Sequence, residues 1–236
     1  DGAKAALDWL ATWARPLGKH GFCHRQRGLP PETVIPADEW PTRDLLGLCW
    51  AGVESYRDGD EAGRDIAVSA AGQILARQIA PEEAEAGYSG HFREFASLPH
   101  SEKAWCHAIK DECFGADAGG LYAHYLLPII ELLRLFPGHE DADRWRGCLR
   151  NFVDGYMLPG CRANPFGIAP YGICDEEGPI WFAGPWHGFN CLYGQTAALA
   201  VELTAELDEP GLVEVAHANL QWVAGLNAGV TADSIR

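Results

Sequence analysis

Between Trp181 and Asn190 the chain reads Trp-Phe-Ala-Gly-Pro-Trp-His-Gly-Phe-Asn, which sets two indoles, an imidazole and a carboxamide on a segment stiffened by proline. Sugar rings present apolar faces of axial hydrogens, ringed by hydroxyls. An indole covers the first, and a His or Asn side chain meets the second. Trp181, Trp186, His187 and Asn190 are therefore the candidate saccharide-binding residues, with Trp105 and His107 added from another segment. The plainer use of such indoles is to close the end of a helical core.

Glycosidic hydrolysis needs two carboxyl groups roughly 5 to 9.5 Å apart. The candidate acids on the long connections are Asp38 with Glu39, Asp111 with Glu112, Asp117, and Asp175 with Glu176 and Glu177. Adjacent acids diverge in direction, and in so acidic a chain most acid pairs are solvated surface. The catalytic residues are accordingly unassigned. His20, His24, His100 and His107 could converge on a metal. The His-x-x-x-His spacing at 20 and 24 has meaning only on a helix, which Gly18 and Gly21 oppose, so no metal is expected. No Gly-x-Ser-x-Gly, Gly-x-Gly-x-x-Gly or phosphate-loop pattern occurs, and no cofactor is expected. Asp117 to Tyr122, with its paired glycines, reads as a helix start.

The elements that would position these groups show a repeated plan. Helical spacing of apolar residues predicts a first helix from Gly2 to about Arg15. A second, capped by Thr42, runs to Arg57, followed by the turn Asp58-Gly59-Asp60 and a third from about Glu61 to Ile79. Residues 119–136, kinked at Pro128, pair through Pro137 to His139 with a helix from Glu140 to about Met157. Asn190 to Leu207 and Pro210 to about Leu226 form the last pair, turning at Asp208 and Glu209. No strand alternation is evident. Three long connections, 17–41, 81–118 and 158–189, hold six of the nine histidines and four of the nine tryptophans. In an array of antiparallel hairpins the tight turns fall on one face and the long connections on the other, so the candidate groups share a face.

Composition narrows the partners. The 236 residues carry a formal charge of −15, with four lysines, so a footprint for nucleic acid or anionic lipid is missing and the expected partner is neutral or cationic. No run approaches the roughly 20 apolar residues of a membrane span, and the start is an amphipathic helix rather than a signal peptide. Localisation is left open, with secretion slightly favoured. Of eight cysteines, none forms a Cys-x-x-Cys pair. Cys49, Cys148 and Cys191 read as small buried residues within helices, while Cys161 and Cys174 could form a disulfide.

By the last hairpin the sequence resembles family 9 glycoside hydrolases, inverting β-glucanases built on an (α/α)6 barrel, a six-hairpin toroid. The resemblance rests on Leu220 to Asn227, where Gly225 and Asn227 follow an aromatic-bearing helix; on Trp186 to Asn190; on Asn164-Pro165-Phe166-Gly167; and on Leu7 to Leu10 with Gly21 and Phe22. The family's Asp-Ala-Gly-Asp motif and C-terminal glutamate have no counterpart here, so no catalytic residue is carried over. Seven helices are too few to close six hairpins. The expectation is a single all-α domain over 1–236, antiparallel hairpins forming part of an (α/α)6-type barrel, incomplete at both ends, with flanking sequence or a second chain completing it. Its implied function is binding and hydrolysis of a neutral polysaccharide or oligosaccharide, a β-glucan by resemblance. The alternatives are a non-catalytic carbohydrate-binding or helical scaffold module, and an isomerase or lyase with a loop His or Tyr as base.

Overall fold

A computed structural model defines the fold, and it describes residues 2–9, 42–84, 86–93, 126–170, 172–174, 178–181 and 190–227. Helix dominates: α1 (Gly2–Trp9), α2 (Thr42–Arg57), α3 (Ala62–Leu75), α4 (Leu127–Leu135), α5 (Ala142–Phe152), α6 (Leu158–Arg162), α7 (Asn190–Leu207) and α8 (Gly211–Val223). The three expected hairpins, α2–α3, α4–α5 and α7–α8, are all present. Each buries the stripe that its periodicity marks: Leu45, Leu46, Cys49 and Val53 from α2; Ala67, Ala70, Ala71 and Ile74 from α3; Trp145, Cys148, Leu149 and Phe152 from α5. These side chains join one continuous core. Helix α4 packs against both α2 and α7, which links the three hairpins through their middle member.

Small residues set how closely α2 and α3 approach. A Cβ on Gly63 would lie 2.5 Å from the Gly52 carbonyl oxygen, and one on Gly52 would lie 2.7 Å from that of Gly63. The turn between them closes where Gly59 takes a φ of +95°, with the Asp60 N–H returning to the Ser55 carbonyl. Near the tight turns, charged side chains cross from hairpin to hairpin. Arg57 pairs with Glu131, and Arg134 reaches Glu131 at 2.9 Å and Glu202 at 2.7 Å. The Arg134 guanidinium is pushed above its usual range, chiefly by its bond to Glu202.

Four sequence expectations are corrected. The third helix stops at Leu75 rather than Ile79, because the chain turns there and Gln78 forms a bridge with Phe92. Pro128 stands in the first turn of α4, where a missing N–H costs nothing, rather than at a kink within a helix. The helix begun at Ala142 does not end at Met157: it widens into a π-helical segment, Val153–Met157, and runs on as α6 to Arg162. Strand also occurs, since β1 (Gly172–Cys174) pairs antiparallel with β2 (Gly178–Ile180). Three-residue strands are too short for alternation to register in a sequence. Thr42 is itself the first residue of α2, and its hydroxyl donates to the Arg93 carbonyl while accepting from buried Arg77 at 3.2 Å. The expected helix beyond Trp9, the whole of the first connection and residues 94–125 lie outside the described residues.

Cys49 and Cys148 are buried as expected, and Cys161 is a buried free thiol rather than half of a disulfide. Burial pushes the Cys148 and Cys161 thiols up to about 12 and raises Cys49 further still. The side chains of Cys174 and Cys191 lie outside the described residues.

Candidate functional site

The described parts of the second and third long connections meet on one helical segment, the π turn and α6. Widening the helix to i→i+5 bonding displaces its backbone groups, and such turns recur at functional sites. Here the Gly155 carbonyl accepts the Ser89 N–H at 3.1 Å. The Tyr156 hydroxyl donates to the Pro170 carbonyl at 2.9 Å, and its ring lies 5.3 Å from that of His91. Gln78 crosses to the carbonyls of Gly90 and Cys148 at 2.7 and 2.8 Å. Residues 88–92 and 163–170 are thereby seated on the same helix.

Trp181 follows β2 and is held at both ends. Its indole Nε1 donates to the Gly160 carbonyl of α6 at 3.1 Å, and its own carbonyl accepts the Tyr193 hydroxyl. Tyr193 lies in the first turn of α7 and is 3 % exposed. Burial pushes its phenol up to about 12, so it stays a donor at any physiological pH. Its ring meets Trp222 edge-on at 6.1 Å, and Trp222 meets Phe166 the same way at 5.0 Å. Trp181 itself is only partly covered, and Asn190, three residues before Tyr193 and so on the same side of α7, is exposed.

Asn164 organises the loop that carries Phe166. Its Nδ2 donates to the carbonyls of Gly160, Cys161 and Ile168 at 3.0, 3.3 and 2.8 Å, and its Oδ1 accepts the N–H groups of Phe166 and Ile168 at 3.1 and 3.3 Å. From the other side, Asn227 Nδ2 donates to the Phe166 and Ala218 carbonyls at 2.6 and 3.0 Å. Gly225 makes that reach possible: with φ of +71° it closes α8 in a Schellman motif, Gly225 N–H to Trp222 and Leu226 N–H to Gln221. Between this loop and α8 lies an open groove of about 710 Å³ whose free polar rim is formed by Arg162, Glu214 and Gln221.

Of the six expected site residues, the structure brings Trp181 beside the first turn of α7, which begins at Asn190. Trp186, His187, Trp105 and His107 lie outside the described residues, as do Asp38, Glu39, Asp111, Glu112, Asp117 and Asp175 to Glu177. Tyr193 escaped the sequence reading because its helical spacing presents it as ordinary core, while Trp222 and Gln221 entered only within the resembling segment Leu220 to Asn227. Asn164 and Asn227 were visible only through resemblance. Among the described residues no group of three or more His, Cys, Asp or Glu side chains is gathered for a metal ion. Among the same residues, no helix is long and apolar enough to cross a membrane. No family model matches the chain, and no curated protein matches it.

Proposed function

We propose that the chain is a carbohydrate-active domain, part of an (α/α)6-type barrel of the glycoside hydrolase kind, that binds and hydrolyses a neutral polysaccharide or oligosaccharide. The observation that carries this reading is Trp181: a partly exposed residue fixed at its ring nitrogen and at its backbone, the latter by Tyr193 in the first turn of α7, the helix that begins at exposed Asn190. A rigid indole suits the apolar face of a sugar ring, and a carboxamide such as that of Asn190 suits its hydroxylated rim. The net charge of −15 favours a neutral partner over an anionic one. Resemblance adds the β-glucan as substrate class and inversion as the stereochemical course. The two carboxyl groups such chemistry needs are sought among the loop acids from Asp38 to Glu177.

A second reading, a non-catalytic binding or scaffold module, draws on one observation. The Asn164 and Asn227 carboxamides and the Trp181 indole N–H all bond the protein's own backbone, as bracing groups do. Incubation with β-1,4- and β-1,3-glucan oligosaccharides separates the readings. Release of reducing ends supports the hydrolase, and ultraviolet absorbance of unsaturated ends from a uronic-acid oligosaccharide run in parallel would mark a lyase instead. Retention of oligosaccharide without turnover supports the module. If the protein neither retains nor cleaves any neutral oligosaccharide, the carbohydrate reading is wrong.

A further inference from the structure

Resting on the saccharide reading above, we propose that Tyr193 is a positioning residue for sugar binding: it touches no ligand but holds Trp181 as a pre-oriented stacking plate. Trp181 is tied by two bonds of different origin, one to its indole from α6 and one to its carbonyl from α7. The first fixes the ring and the second fixes the backbone from which the ring projects. Tyr193 is 3 % exposed, so water competes poorly for its hydroxyl.

Its ring is fixed in turn by a line of contacts. Trp222 lies edge-on to Tyr193 at 6.1 Å, and Phe166 lies edge-on to Trp222 at 5.0 Å. The Phe166 backbone is held on one side by Asn164 and on the other by Asn227. The arrangement runs unbroken from the end of α8 to Trp181. A plate already ordered in the free protein spares the ligand the entropy of ordering it, which is how a buried residue can set affinity without contact.

The test uses the full chain labelled with 5-fluorotryptophan and observed by fluorine NMR. Nine tryptophans give nine resonances, and the one lost in Trp181→Phe belongs to Trp181. Cellotetraose and laminaritetraose serve as probes. In the unsubstituted protein the Trp181 line should be narrow and shift on titration. Tyr193→Phe keeps the ring and removes the hydroxyl; it should broaden or split that line in the free protein and raise Kd by about two- to tenfold. Trp222→Phe, which removes the indole edge from the other side of Tyr193, should disturb the same line and serves if Tyr193→Phe folds poorly. A lowered melting temperature with an unchanged Trp181 line and unchanged Kd would overturn the positioning role and leave the saccharide reading standing. If neither sugar moves any resonance of the unsubstituted protein, the saccharide reading falls and this inference falls with it.

Discussion

Replacing Asn164 by Ala tests the account of the loop that borders the candidate site. The side chain supplies two amide protons shared among three carbonyls, and accepts two backbone N–H groups. Four bonds at a net ~1 kcal/mol each would total about 4 kcal/mol if all were buried. Asn164 is only partly covered, so water replaces some of them. Ile168, however, is 0 % exposed and loses a partner at both its N–H and its carbonyl. The expected loss is therefore about 2 to 4 kcal/mol, read as a shift in the urea midpoint at constant slope. Asn227→Ala removes bonds at a helix end and should cost about 1 kcal/mol. Both side chains grip the Phe166 peptide region, so the double substitution should depart from additivity by about 0.5 kcal/mol or more. A loss under about 0.5 kcal/mol for Asn164→Ala, or strict additivity of the pair, would refute the reasoning.

Three further outcomes follow from local geometry. Gly63→Ala forces a Cβ to 2.5 Å from the Gly52 carbonyl and should cost about 1 to 3 kcal/mol, whereas Gly47→Ala, with open space in the same hairpin, should gain about 0.5 to 1; equal effects in thermal melts would contradict the close helix crossing. Asp208 bridges α7 and α8 at a φ of +52°, so Asp208→Gly should stabilise by up to about 1 kcal/mol, and a clear loss would mean that its side chain matters more than its backbone. Tyr193, Cys148 and Cys161 all have raised pKa values of about 12, so their contribution is complete below their unfolded values, near 8.5 for Cys and 10 for Tyr, and is lost as pH climbs toward 12. Melting temperatures should fall across that window, and peptide mapping after thiol labelling at pH 8 should show Cys49, Cys148 and Cys161 protected until the protein unfolds; prompt labelling of these three in the folded chain would show that they are not core.

The hairpins were legible because each helix repeats its apolar residues over at least two turns. The second helix ends at Arg57 as expected and begins at Thr42, the residue expected to cap it, and Gly59 with its flanking acids marked the turn. What escaped has a common physical cause: the deciding partner is far away in sequence. Nothing local in Val153 to Met157 announces a π turn, which exists where Ser89 and Pro170 take up its backbone and Tyr156. Gly172 to Ile180 is too brief to show a strand period. In the site, Trp181 could be chosen from its type and setting, but Tyr193 could not, since a phenol within a helix reads as core until its hydroxyl is seen on a carbonyl 12 residues back. Asn164 and Asn227 stood out only as parts of short segments resembling a family; their physical role, folding a loop back onto α6 and tying it to α8, needed coordinates.

The large hydrophobic side chains exposed among the described residues, Val201, Val213, Leu220, Val223 and Leu226, all belong to the last hairpin and the residues just after it. The central claim, a saccharide stacked on Trp181, is tested most directly by calorimetric titration of the chain and its Trp181→Ala variant with cellotetraose and laminaritetraose. The account predicts binding of at least one sugar by the unsubstituted chain and a loss of about 1 to 3 kcal/mol, five- to over a hundredfold in Kd, in the variant. Equal affinity in both proteins, or binding by neither, would contradict it.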